Sequence, residues 1–262
     1  MIDFEKAPIT IYELKGKLFL PLLQANKFID DEIIYQDDSC TIRFKGKALT
    51  QLHRDILDIV IFFGDKSIEQ KLKDNVPFRA FSLYSILKQL GHKSKRNSKW
   101  LRNKINEIRD ATITYTNKKS NEIYQFSIVK VFKNSSKLNS YIMSFDDRYF
   151  EYSKTQLSIS YKNLVDEIIS LKYPATKAVI RYILTHSDKF NIGIDNMLKK
   201  VGVTGSQRNF EKIRNNVLSE LKEHGNKFNI KLIKKTKDKR KISDYSLKYK
   251  RDKNVFIQSP KK

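Results

Sequence analysis

The sequence predicts an α+β protein made of tandem winged helix-turn-helix domains. A ten-residue stretch occurs twice with the same apolar pattern and terminal glycine, Ser82-Leu83-Tyr84-Ser85-Ile86-Leu87-Lys88-Gln89-Leu90-Gly91 and Gly193-Ile194-Asp195-Asn196-Met197-Leu198-Lys199-Lys200-Val201-Gly202. Each copy leads into a second helix-like run, Arg102-Asn103-Lys104-Ile105 in one and Arg214-Asn215-Asn216-Val217 in the other, and β-patterned sequence follows both. A short amphipathic helix, a glycine turn, a basic helix and then strands is the outline of a winged helix-turn-helix. The 262 residues hold two units of ordinary domain size, 1–150 and 151–262.

The elements follow in order. Up to about Lys47 the chain reads as an arm and early strands, with Ile33-Ile34-Tyr35 and Thr41-Ile42-Arg43-Phe44 of strand composition and Gly46 as punctuation. Leu52, Ile56, Ile59, Val60 and Phe63 recur at helical spacing, giving one buried face that Gly64-Asp65 ends. Pro77 biases Val76 away from helix, so 76–81 is extended. Ser82 then caps a helix with Leu83, Ile86, Leu87 and Leu90 inward. A helix over 97–110 buries Leu101, Ile105 and Ile108, and strands follow at 112–116, 124–131 and 141–145. The basic loops at 117–121 and 133–137 have the composition of wings.

The second unit begins after a boundary near 146–154, with a strand-like stretch at 157–160 and an apolar cluster of Leu164, Val165, Ile168 and Ile169. Pro174 pre-sets a helix whose inward face is Ala178, Val179, Tyr182 and Ile183. After the repeated short helix, a longer one runs from Gly205-Ser206 to His224 with Phe210, Ile213, Val217 and Leu221 as its buried stripe. Strands at 230–233 and 245–249 form a hairpin with the tip at 234–241, and the tail after Lys253 is expected to be mobile.

With 52 Lys+Arg against 29 Asp+Glu, the net charge is +23. An excess of that size attracts polyanions. The Lys, Asn and Ile content also fits an AT-rich genome, so the position of the charge says more than its total. No long apolar run suggests a membrane span, and Met1-Ile2-Asp3-Phe4-Glu5-Lys6 lacks the form of a signal peptide, so a cytoplasmic protein without membrane association is expected. A single Cys40 excludes an internal disulfide and has no metal-ligand pattern around it.

Double-stranded DNA is the expected ligand. A major groove admits one helix, and Arg, Lys, Asn and Gln read base edges there. Arg208, Lys212 and Asn215 lie opposite the buried stripe, Gln207 and Asn209 occupy the first turn, and Ser206 caps the helix where its dipole favours phosphate. In the first unit Lys95, Arg96, Lys99, Asn103 and Asn106 face outward, suited to phosphate contact as much as to base readout. The hairpin tip, with Lys234, Lys235, Lys237, Lys239, Arg240 and Lys241, reads as a clamp on the backbone or minor groove, or as an exposed lysine-rich turn.

Catalysis is not expected, and neither is a metal or cofactor. The glycines form no phosphate-cradling loop. His53, His92, His186 and His224 are scattered and never form the paired ligands that a nicking enzyme would place beside a tyrosine nucleophile. Tyr149, Tyr152 and Tyr161 therefore read as core or strand residues, and the adjacent carboxylates at 30–32, 37–38 and 146–147 as surface turns.

The two units in this order resemble the plasmid replication initiators of the TrfA/RepA type. The matching stretches are 44–49, 78–91, 101–114, 173–178, 182–186 and 202–221, within Arg43 to Leu232. The resemblance implies a protein that binds direct repeats (iterons) at an origin, promotes melting, and recruits the host initiator and replicative helicase. It further implies major-groove reading by the second unit, through Gln207, Arg208, Asn209, Lys212 and Asn215. Backbone contacts and dimerisation would fall to the first unit, with monomers activating the origin and dimers repressing the initiator's promoter. A transcriptional repressor using the same modules remains the alternative, with a nicking relaxase behind it.

Overall fold

In the computed structural model the described residues are 9–15, 17–22, 25–65, 78–136, 139–154, 158–186, 190–238, 241–251 and 255–258. The chain opens with an arm: β1 (Ile9–Thr10), α1 (Ile11–Lys15) and β2 (Phe19–Leu20). A hairpin of β3 (Phe28–Gln36) and β4 (Cys40–Lys47) follows, then β5 (Leu49–Thr50), which pairs in parallel with β2. Next come α2 (Gln51–Phe63), β6 (Phe78–Phe81), α3 (Leu83–Gln89) and α4 (Ser98–Arg109). The strands β7 (Thr112–Asn117) and β8 (Ile123–Phe126) join the first hairpin in a sheet of order β3-β4-β7-β8. A second hairpin, β9 (Val129–Ser135) and β10 (Ser140–Phe145), takes β6 as its third strand in the order β6-β10-β9. The strand expected at 124–131 is thus two strands in different sheets, broken at Ser127-Ile128. The loop at 117–121 belongs to the four-stranded sheet rather than to a wing.

The remaining chain runs through α5 (Asp147–Lys154), β11 (Ser158–Ser160), α6 (Val165–Ser170), α7 (Pro174–Leu184), β12 (Phe190–Gly193), α8 (Ile194–Lys200) and α9 (Gln207–His224). It ends with β13 (Ile230–Asp238), β14 (Lys241–Tyr249) and β15 (Phe256–Gln258). The sheet order β12-β14-β13 repeats that of β6-β10-β9: first strand against last, with the middle one outside. In both halves the helix, strand, seven-residue helix, longer helix and hairpin come in the same sequence. The tail expected to be mobile instead contributes β15, which pairs with β11, as does β1 from the arm.

The repeated decapeptide closes in the same way twice. Gly91 (φ +84°) and Gly202 (φ +90°) adopt the left-handed conformation that only glycine takes without strain. Their N–H groups donate to Lys88 and Lys199 carbonyls at 3.0 and 3.1 Å. The next N–H groups, of His92 and Val203, reach back to Leu87 and Leu198 at 2.8 and 2.9 Å. These paired bonds satisfy the free carbonyls of the helix end. The inward triplets Leu83/Ile86/Leu87 and Ile194/Met197/Leu198 occupy matching positions.

The halves share one continuous apolar core. Its centre is the contact between α2 and α7, and there the structure departs from the expectation of one buried face per helix. Nearly all of α2 and of α7 is buried, charged residues included. Arg181 donates to Gln51 at 2.7 Å, to Asp55 at 2.6 Å and to Asp58 at 2.7 Å. Lys177 reaches Asp55 at 2.6 Å, Arg54 binds Asp58 through Nε at 2.8 Å and Glu13 of α1 at 3.1 Å, and the Tyr161 hydroxyl donates to Asp58 at 3.0 Å. Three acids, Glu13, Asp55 and Asp58, thus face three bases, Arg54, Lys177 and Arg181. Burial works against the guanidinium charges of Arg54 and Arg181. Asp58 outweighs it for the first, and Asp55 with Asp58 for the second, so both pKa values stand above the ordinary arginine value. Burial pushes Glu13 up, and Arg54 opposes this only in part. Among the described residues Arg181 Nε and Thr176 Oγ1 find no hydrogen-bond partner.

Candidate nucleic-acid interface

In α9, Ser206 caps the helix, its side chain accepting from the Asn209 N–H at 3.4 Å. No residue of the first ten, Gln207 to Asn216, is buried; Val217, Leu218, Glu220 and Leu221 anchor the rest. At 1.5 Å per residue this partly exposed stretch is about 15 Å long, with one side open to solvent. Phe210 and Ile213 lean on the core from the inner side. Arg208, Asn209, Lys212 and Asn215 are exposed on the outer side, as expected. Gln207 is exposed too, but its amide donates to Glu211 at 2.7 Å. Two residues fasten the helix. Arg214 pairs with Asp195 of α8 at 2.6 Å, and buried Glu220 accepts from the N–H groups of Lys172 and Tyr173 before α7 at 2.6 and 3.3 Å.

In the first half a short 3-10 turn at Lys95–Asn97, capped by Ser94, runs directly into α4. Lys95, Arg96, Lys99 and Asn103 are exposed, and Asn106 is half-buried. The Lys95 ammonium lies 5.5 Å from the centre of the exposed Tyr84 ring, which partly fixes it. Arg102 is exposed on the same face. Its i+3 spacing from Lys99 is the signal in the sequence that puts it there. The one acid of α4, Glu107, is neutralised at its root by Lys47 at 2.6 Å, Lys104 at 2.9 Å and His53 at 2.8 Å. Burial would raise the Glu107 pKa, but hydrogen bonds from His53, Lys47 and Lys104 outweigh it and bring it to about 2. Burial pushes His53 down. Its Nδ1 accepts from the Thr50 N–H at 2.9 Å, so the neutral ring donates to Glu107 through Nε2.

The C-terminal hairpin is longer than expected. Strand pairing continues to Asp238 opposite Lys241, so Lys234, Lys235 and Lys237 lie on β13 and Lys241 on β14 rather than in an eight-residue tip. In the backbone register Lys235 lies opposite Asp244. Lys234 is exposed. Lys239 and Arg240 lie outside the described residues, as do the side chains of Lys235, Lys237 and Lys241.

The tyrosines weighed as nucleophiles are buried: Tyr149 donates to Glu13 at 2.9 Å, Tyr161 to Asp58, and Tyr152 sits beside Thr10. Burial first of all raises their phenol pKa values. Among the carboxylates read as surface turns, Asp146 is instead buried and held by Arg148, and Asp30 to Glu32 lie within β3. Among the described residues no three His, Cys, Asp or Glu side chains are grouped to hold a metal ion. Nor is any described helix long and apolar enough to cross a membrane.

No protein-family model matches the chain, and no curated protein matches it by sequence. Among solved structures the chain is similar to a selenomethionine form of domains 2 and 3 of RctB, with a TM-score of 0.62 at 12% identity over 93% of this chain and 99% of that one. A second structure of RctB domains 2-3 gives 0.58 at 13% identity, over 93% and 98%. The similarity is one of fold, and it spans both halves together.

Proposed function

We propose that this protein is an origin-binding replication initiator that binds duplex DNA through two winged helix-turn-helix units and has no enzymatic activity of its own. The observation that carries the reading is the N-terminal half of α9, whose exposed outer side presents Arg208, Asn209, Lys212 and Asn215 together. A second such assembly lies around α4. The fold similarity to RctB, a replication initiator, adds support across both units at once. It favours an initiator in general over the TrfA/RepA type that the sequence resembles, so binding to iterons and recruitment of host initiator and helicase are the finer part of the proposal. On this reading 151–262 reads bases, while 1–150 supplies backbone contacts and the surface for dimerisation.

Footprinting on direct repeats beside the gene tests it. Two recognition helices meeting successive major grooves should protect about two helical turns, roughly 20 bp. Protection of one turn only, or none, would overturn the reading. A repressor would bind the same DNA without opening it. Permanganate reactivity of an AT-rich tract beside the repeats, on addition of protein, separates the two.

A further inference from the structure

The arm from the first half lies across the second half's helix-turn-helix. Lys17 Cγ and Cδ come within 3.5 and 3.7 Å of where a side chain on Gly202 would begin, and Pro21 Cδ within 3.8 Å. The lysine stem therefore packs against the turn at Gly202. Four residues later, at most about 14 Å along the chain, Ser206 starts α9. Pro21 and Leu22 continue along that helix, lining an open cavity of about 280 Å³ with Ile213, Asn216 and the start of α7. The Lys17 N–H donates to the Ile34 carbonyl at 3.3 Å, so its backbone is held, while its side chain is exposed and no described carboxylate pairs with it.

We propose that the arm is part of the second unit's DNA interface, with Lys17 holding a backbone phosphate beside the turn that leads into α9. The inference rests on the DNA-binding reading above. Lys199 and Lys200, both exposed, end α8 just before Gly202 and add their charge to the same turn. Exposed cations along a turn that leads to a helix N-terminus suit a polyanion, whose phosphates such a terminus already favours.

The test compares the full-length protein with Lys17→Met and Lys17→Arg, on a duplex carrying the direct repeats beside the gene and on a random-sequence duplex. Affinity is measured between about 50 and 200 mM salt. Methionine keeps the stem over Gly202 and removes only the charge. Lys17→Met is expected to weaken both duplexes alike and to reduce the slope of log affinity against log salt by about 0.9, one phosphate's worth; Lys17→Arg should behave as wild type. An unchanged slope in Lys17→Met, while Arg208→Ala still loses its preference for the repeats, overturns the arm contact and leaves the parent reading intact. Equal losses in Lys17→Arg and Lys17→Met also overturn it, because charge would then not be the cause. Absence of salt-dependent binding by the wild type sinks the parent reading and this one with it.

Discussion

At Asp58 both carboxylate oxygens are occupied, with Arg54 on one, Arg181 on the other and Tyr161 donating to both. Removing this one acid leaves two buried guanidinium groups short of a partner. Asp58→Ala should therefore cost about 3–5 kcal/mol, the usual range for breaking a buried pair from one side, read as a lower midpoint in urea. A loss below about 1 kcal/mol would mean that water reaches the joint. The buried histidine sets a pH window of its own. The native ring of His53 has a pKa below the ordinary 6.5, so the unfolded chain takes up a proton that the folded one refuses. Its contribution is complete above pH 6.5 and declines as pH falls below it. Glu107, near 2 when folded against 4.5 unfolded, adds a second decline between those values. Glu13, pushed up by burial, works in the opposite sense from 4.5 upward, and His186, pushed down by burial, works in the same sense as His53, so only the difference between wild type and His53→Gln isolates the buried histidine. Between pH 6.5 and 4.5 the thermal midpoint of the wild type should lose ground relative to that of His53→Gln; a difference between the two that does not change with pH would contradict the neutral ring.

The paired helices α3 and α8 show how much of an element a short sequence can specify. An N-capping position, three inward apolar residues and a left-handed glycine recur at the same offsets, and the same two closing hydrogen bonds result. Gly91→Ala adds a side chain with open space around it, so its cost is conformational only, about 1 kcal/mol. Element α9 has a different division of labour, with its C-terminal half packed and the outer side of its N-terminal half exposed. Arg208→Ala or Lys212→Ala should lose about 1–3 kcal/mol on the cognate sequence if that side chain is bidentate to a base. Lys99→Ala and Arg102→Ala in α4 should weaken all sequences alike, as loss of a phosphate contact does. Binding titrations on cognate and random duplexes distinguish the two patterns, and a uniform loss in Arg208→Ala would assign it to the backbone instead.

Across the whole molecule, the α2–α7 contact removes the freedom that a linker would have allowed. With one core and a neutralised ionic joint between the halves, their separation is set by packing. Inserting about half a helical turn, roughly 5 bp, between the two half-sites should then abolish high-affinity binding in a gel-shift titration. Two domains on a flexible tether would tolerate the same insertion.

Most of the candidate interface was legible because exposed side chains on a helix follow from the period of its buried stripe. Val217 and Leu221 alone orient Arg208, Lys212 and Asn215. The hairpin was read too short because lysine-rich sequence resembles a loop until the opposing strand supplies Asp244 and Lys241 in register. The joint was illegible for a related reason. Gln51, Arg54, Asp55 and Asp58 on one helix, and Lys177 and Arg181 on another, look like solvated faces when each helix is considered by itself.

The sequence by itself determined the duplicated helix-turn-helix pattern, its glycine stops and the outward face of α9, because these depend on periodicity and on backbone geometry within a few residues. Only the tertiary structure decided that two polar helix faces would be buried against each other, that the arm would lie over the second turn, and that the tail would join a sheet. Burying a charge depends on whether its counter-charge, more than a hundred residues away, comes within about 3 Å, and no local pattern encodes that distance.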